Sequence, residues 1–222
     1  MFRRYAIYVT PEGLLGQRGA EWLGWDMAQA GAVPHPDVQD LDVAKITKRP
    51  RKYGFHGTIK PPMVLANGTS IGELKSTATS LTNHLAPVTL AGLGVSRIGG
   101  FLALTPLGDT NALAAMAALV VKGLDAFRSP ATPEEMDRRR QSSLSTSQER
   151  NLTQWGYPYV MDEFRFHITL TGPLKDTEEI APILSAHFAP VLPEPYVIDH
   201  LTLAGEDSDG MFHSISRLPL RG

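Results

Sequence analysis

The chain predicts an α+β fold built from two equivalent halves, and three observations predict it. The order strand, helix, strand, strand can be read once before position 128 and again after position 150. One short motif occurs in each half, as Phe55-His56-Gly57-Thr58-Ile59 with Pro62 and as Phe166-His167-Ile168-Thr169-Leu170 with Pro173; 111 residues separate the two histidines in a chain of 222. Between the halves, Ser129 to Arg150 has no aromatic residue and is dominated by Ser, Glu and Arg. The expected organisation is a single bilobal domain over 1–222, with lobes at 1–128 and 151–222 and a polar helical segment at 129–150 between them.

The elements follow from local pattern. Aromatic and β-branched residues make Phe2 to Val9 a strand, and Leu14 to Ala30 reads as a helix carrying Trp22, Leu23 and Met27 on one side. Gly31 to Arg51, with Pro34, Pro36 and Pro50, is a long polar connection into a strand through the first motif. A helix over Ile71 to Leu85 comes next, then strands over Val88 to Ile98 and Phe101 to Thr105 turning at Gly99-Gly100. Asp109 is placed to cap an Ala-rich helix reaching Phe127, and Thr132-Pro133-Glu134-Glu135 has the form of a helix start. The second half reads as a short helix ending near Gly156, the second motif strand, a helix over Thr177 to Phe188, and strands over Tyr196 to Ala204 and Met211 to Leu218.

Composition narrows the chemistry. The 21 Lys and Arg against 23 Asp and Glu give a net charge of -2, so there is no global field to hold a long polyanion, and any nucleic-acid contact has to be local. Without cysteine, disulfides, thiolate metal sites and thiol nucleophiles are excluded, leaving His, carboxylates, hydroxyls and cations. Met1-Phe2-Arg3-Arg4 has the basic start of a signal peptide, but Tyr5 to Thr10 is too short for its apolar stretch. The longest apolar run, Ala112 to Val121, is about half of a membrane span. The expectation is a soluble cytoplasmic protein without membrane contact.

Side chains alternate along a strand, so Gly54, His56, Thr58 and Lys60 are expected on one face of the first motif, and Arg165, His167, Thr169 and Thr171 on one face of the second. Two such faces brought together make a groove suited to phosphate. Cations and hydroxyls hold the non-bridging oxygens, while one imidazole accepts a proton and the other donates one across phosphorus. Histidine fits both roles because its ordinary pKa is about 6.5. The candidate catalytic residues are His56 and His167. The candidate substrate contacts are Thr58, Thr169, Lys60 and Arg165, with Tyr53 and Tyr157 as groove walls. The motifs lack the nearby carboxylate or second histidine of common ligand pairs, so no metal and no cofactor is called for.

The other polar residues read as structural. His84, His187, His200 and His213 stand singly beside apolar neighbours, His35 lies between two prolines, and Arg138 to Arg140 suit an exposed helix face. The basic run Lys45, Lys48, Arg49, Arg51 and Lys52 leads into the first motif and allows two readings, steering of an anionic substrate or a solvated loop.

The paired His-x-Thr motifs resemble those of the 2H (two-histidine) phosphoesterase superfamily, which includes RNA cyclic phosphodiesterases and the so-called RNA 2',5' ligases. The resemblance implies two pseudo-symmetric lobes, each with an antiparallel sheet and helices, around a central groove. It also implies metal-independent phosphodiester chemistry, with His56 and His167 as acid and base and Thr58 and Thr169 on the phosphate. Tyr53 to Pro62, Phe127-Arg128-Ser129-Pro130, Trp155 to Val160 and Phe164 to His167 are similar to a branch of bacterial proteins encoded beside phosphonate-degradation genes. That branch usually has His-Ala-Thr-Leu where this chain has His56-Gly57-Thr58-Ile59. The association implies a small ribose cyclic phosphate as substrate. The competing functions are a nucleotide-binding module without turnover and an enzyme that trims or joins RNA ends; near-neutral charge weighs against long nucleic acid.

Overall fold

The computed structural model describes residues 2–222. In chain order the elements are β1 (Arg4–Val9), α1 (Gly13–Leu23), β2 (Trp25–Asp26), β3 (Gly31–Ala32), α2 (Val43–Thr47), β4 (Gly57–Met63), α3 (Ile71–Thr82), β5 (Val88–Leu90), β6 (Gly92–Ile98) and β7 (Phe101–Leu107). They continue with α4 (Asn111–Gly123), α5 (Pro133–Arg140), α6 (Thr146–Trp155), β8 (Ile168–Thr169), α7 (Ile180–Phe188), β9 (Tyr196–Ile198), β10 (His200–Glu206) and β11 (Phe212–Pro219). The α+β class expected from the sequence is the one observed, and every strand pair in it is antiparallel. No helix among the described residues is long and apolar enough to cross a membrane.

Seven strands form one sheet in the order β11-β10-β1-β4-β8-β7-β6. The two motif strands, β4 and β8, are neighbours at its centre. Around them the halves of the chain exchange hairpins: β6 and β7 extend the sheet from β8, whereas β10 and β11 reach β4 through β1. The equivalent strands β5 and β9 also pair with each other, Val88 opposite Ile198. The segments 1–128 and 151–222 thus do not form separate sheets.

One sheet face carries the main core. Tyr5, Ile7 and Val9 of β1, Leu201 and Leu203 of β10, and Ile168 and Leu170 pack there with Trp22, Leu74, Leu113, Met116 and Phe188 from the helices. The alternate residues of β1 point the other way, where Ala6 and Tyr8 meet Met27, Ala204 and Phe212 in a second, smaller cluster. This smaller cluster floors the motif face.

Several boundaries differ from the sequence expectation for physical reasons. α1 stops at Leu23, not Ala30, because Gly24 takes a left-handed conformation and returns its N–H to Ala20. Met27 lies beyond that stop, beside the β2–β3 hairpin, and belongs to the smaller cluster rather than to a helix face. The 31–51 connection contains α2, capped by the Asp42 side chain on the Lys45 N–H. The strand expected over Val88 to Ile98 breaks at Ala91 into β5 and β6, which join different sheets. Thr110, not Asp109, is the cap residue of α4, though Asp109 accepts from the Asn111 N–H.

Gly57 sits opposite Ile168 and against the Phe166 ring. A Cβ built there would run into the Phe166 ring, so this strand pairing leaves no room for alanine unless the ring shifts. Gly57→Ala is expected to cost about 1–3 kcal/mol by overpacking. Urea unfolding measures it, and Phe166→Leu in the same chain should recover part of the loss. An undiminished stability in Gly57→Ala would show that the ring yields freely.

Candidate active site

The site is built on one strand pair. Gly57 lies opposite Ile168, and continuing that antiparallel register by one residue each way sets His56 across from Thr169 and Thr58 across from His167. The two motifs are therefore related by a local two-fold through the Gly57–Ile168 pair. Gly57, Ile168, Phe166 and Leu170 are buried, while both histidines and both threonines remain partly exposed on the opposite face. From His56 to Ile59 and from Phe166 to Leu170, the alternation expected from the sequence is the one observed.

Each imidazole is held in the same way. His56 Nδ1 is 2.9 Å from the Gly54 carbonyl, and His167 Nδ1 is 2.8 Å from the Arg165 carbonyl, in each case two residues earlier. A carbonyl only accepts, so Nδ1 donates in both rings and Nε2 is left as the atom available for chemistry. Gly54 reaches this geometry with φ 70 and ψ -179, a region open essentially only to glycine. Thr58 Oγ1 lies 3.1 Å from His56 Nε2, so its hydroxyl donates to the neutral ring.

Aromatic side chains wall the site. The Tyr8 ring stacks on His56 with centroids 3.7 Å apart, and Phe101 packs against His167 at 5.8 Å. These two aromatics come from β1 and β7, the strands flanking the motif pair, but from inequivalent positions: Tyr8 pairs with Thr58, whereas Ala103 and not Phe101 pairs with Thr169. Tyr53 lies 6.3 Å from His56 and stacks on Phe212. A cavity of about 330 Å³ opens here, lined by His56, Thr169, Thr171, Arg49, Tyr53, Tyr157 and Phe101 among others. A separate recess of about 660 Å³, lined by residues such as Glu12, Asp26 and Arg217, contains neither histidine.

Burial sets the electrostatics. It pushes the His56 pKa down to about 4, the nearby His167 lowers it further, and the hydrogen bond to Gly54 opposes the fall. The Tyr8 phenol is pushed well above its ordinary value by burial, and its hydroxyl has no hydrogen-bond partner among the described residues. His56 is thus a neutral base stacked on a neutral ring.

The sequence-predicted residues divide. His56, Thr169, Tyr53 and Tyr157 line the one cavity, and the register places His167 and Thr58 beside them. Arg165 is exposed and supplies its carbonyl to His167. Lys60 is a correction: β4 pairs Thr58 with Tyr8 but Lys60 with Ile7, so an extra residue is inserted between them and the alternation reverses. Its ammonium is buried on the core side, 3.2 Å from the Val121 carbonyl and 3.6 Å from Asp125, and burial lowers its pKa to about 8. Tyr8, Phe101 and Phe212 join the site without a sequence expectation for them, and Arg49 joins it from the basic run. Tyr8 had one local signal, its place on the face of β1 opposite Tyr5, Ile7 and Val9. The polar segment also reaches the groove wall, where the Arg139 guanidinium lies over the Tyr157 ring at 4.9 Å. Among the described residues, no three His, Asp or Glu side chains converge as a metal site.

Comparison with known proteins adds a family. A family described as a protein of unknown function, DUF1045, matches residues 58–213. A ribose 1,5-bisphosphate phosphokinase PhnN of Janthinobacterium sp. (strain Marseille) is 34% identical over 231 residues, covering 99% of this chain and 51% of that protein. The protein of the same name from Laribacter hongkongensis (strain HLHK9) is 31% identical over 220 residues, covering 97% of this chain and 51% of its own. The chain spans about half the length of these curated relatives. Among solved structures, a phosphoesterase and E. coli LigT complexed with 3'-AMP each align over 100% of both chains at 12% identity, with a TM-score of 0.48.

The lowered pKa of His56 is directly measurable. An ordinary imidazole is half protonated at about pH 6.5; His56 should stay neutral down to about pH 4, as its burial requires. Following the ring carbon and nitrogen resonances by NMR across pH 3 to 8, we expect its midpoint at about pH 4, well below that of a free imidazole. A midpoint near the ordinary value would show that the Tyr8 stack leaves the ring solvated.

Proposed function

The chain belongs to the DUF1045 family, and we propose that it is a 2H-type phosphodiesterase that opens a cyclic phosphodiester on a small phosphorylated sugar or nucleotide. The observation that carries this reading is the two-fold pair of imidazoles, each with Nδ1 tied to a carbonyl, so that chemistry falls to Nε2, which in His56 is held only by the Thr58 hydroxyl. A binding module needs donors for phosphate but has no use for a matched base and acid.

The chemistry follows from the neutral form that burial imposes on His56, which makes it the base and leaves the acid's part to His167. His56 Nε2, neutral because burial disfavours its charge, takes a proton from an attacking water. The water oxygen bonds to phosphorus as the phosphorus–oxygen bond to the ring-closing oxygen breaks. His167, protonated at both nitrogens, gives its Nε2 proton to that leaving oxygen, which becomes a hydroxyl, and the product is a phosphomonoester. The two rings then exchange protons with solvent. Thr58, whose hydroxyl turns from His56 Nε2 to the phosphate, and Thr169, each across the strand pair from the other motif's histidine, hydrogen-bond the non-bridging oxygens. Positioned proton transfer contributes about 10² to 10⁴ per group.

A sugar phosphate suits the cavity, whose volume of about 330 Å³ is that of a small-molecule site. The curated relatives carry the name of a ribose 1,5-bisphosphate enzyme, and the phosphonate-operon resemblance points to the same class, a ribose phosphate.

Phosphorus NMR tests the proposal. The purified protein, in excess chelator, is given ribose 1,2-cyclic, nucleoside 2',3'-cyclic and linear phosphodiesters beside the His167→Ala variant. One cyclic resonance should convert to a monoester with wild type, and turnover by the variant should fall by about 10² or more. Equal turnover by both proteins would remove His167 from the mechanism, and no conversion of any ester would favour binding without turnover.

A further inference from the structure

A basic recess of about 670 Å³ adjoins the histidine cavity and shares Arg49, Tyr53, Gly172 and Pro173 with it. Lys45, Lys48, Arg49, Lys52 and Lys175 line it, and no carboxylate does. None of these five cations makes an ion pair among the described residues. In a protein of net charge -2, five unneutralised cations around one concavity are a local departure from the average. A cleft lined by one sign of charge concentrates ions of the other sign.

The recess is built from both halves of the chain. Gly172, in the loop after β8, donates to the Ile46 carbonyl at 2.7 Å, which ties the second-half loop carrying Lys175 to α2. Arg51, the remaining member of the basic run, has a different task. It turns inward to the Leu23 and Ala44 carbonyls, Thr47 Oγ1 and His35 Nε2, and so fixes the segment from which Lys45, Lys48, Arg49 and Lys52 project. One cation of the run holds the loop and the other four line the recess.

We propose that this recess binds a second phosphoryl group, so that the substrate is a cyclic phosphodiester carrying a separate phosphomonoester on the same small molecule. The inference rests on the phosphodiesterase reading for the histidine cavity and specifies its substrate class. A phosphomonoester carries about -1.5 to -2 at neutral pH, against -1 for a diester, and offers three acceptor oxygens to the cations. Arg49 lines both cavities and sits between the two phosphoryl groups of such a ligand.

The test compares nucleoside 2',3'-cyclic phosphate and ribose 1,2-cyclic phosphate, each with and without a phosphomonoester at carbon 5. Wild type should show a kcat/KM at least about tenfold higher for the phosphorylated member of a pair, and in the double variant Lys48→Gln, Lys175→Gln that ratio should fall toward one. Equal kcat/KM within each pair, or a ratio that survives in the variant, would overturn the proposal. So would a strong preference for an oligoribonucleotide ending in a 2',3'-cyclic phosphate, since the recess would then follow a polynucleotide backbone. If no ester turns over, the phosphodiesterase reading fails on its own, and calorimetry with ribose 5-phosphate decides about the recess. Submillimolar binding that weakens at least about tenfold in the double variant supports a phosphoryl site, and no binding to wild type overturns it.

Discussion

The pairing of β4 with β8 is the contact on which the rest of the site depends. It is short, since β8 has two residues and the ladder is registered by Gly57 opposite Ile168. A slip of one residue would send every side chain of a motif to the opposite face, exchanging imidazoles for Phe55 or Phe166. The apolar face guards against this. Phe166, Ile168 and Leu170 are buried in the main core with Ile59, and Phe55 stacks on Phe188 of α7 at 5.9 Å. Burying side chains of this size contributes about 1.5–3 kcal/mol each, so the register is held from behind the groove and not by the groove residues. The exchange of hairpins adds to this, because neither half of the sheet can form without strands from both halves of the chain.

Much of this site was legible in the sequence because its signal is local. The period of a strand puts His56 with Thr58 and His167 with Thr169 whatever the strands are paired with. What was not legible is set by neighbours distant in sequence. Lys60 obeys the same period on paper, yet the extra residue in β4 is defined only by its pairing with Ile7 and Tyr8 of β1. Tyr8 and Phe101 reach the histidines only because β1 and β7 flank the motif strands, an order that strand patterns do not encode. The end of α1 is a different case: Gly24 is a local stop signal, masked by the apolar Met27 that follows it at helical spacing.

The electrostatic design runs from neutral to charged along the groove. At one end His56 is stripped of its charge by burial against Tyr8. At the other, five cations gather without a carboxylate to answer them. A nearly neutral protein can hold a strongly anionic small molecule in this way, by concentrating its positive charge in one place. The basic run before the first motif, ambiguous between steering and solvation as sequence, separates into one anchoring arginine and a set of cations lining a recess that both halves of the chain build.

The central claim is that two imidazoles from equivalent motifs address one phosphorus atom from opposite sides. A crystal structure with a vanadate or non-hydrolysable cyclic phosphate analogue tests it most directly. The account predicts the analogue between the motif strands, with Nε2 of His56 and of His167 each about 3 Å from a different apical or ester oxygen and both threonine hydroxyls on the non-bridging oxygens. An analogue reached by only one imidazole, or seated wholly among the lysines of the neighbouring recess, would contradict it.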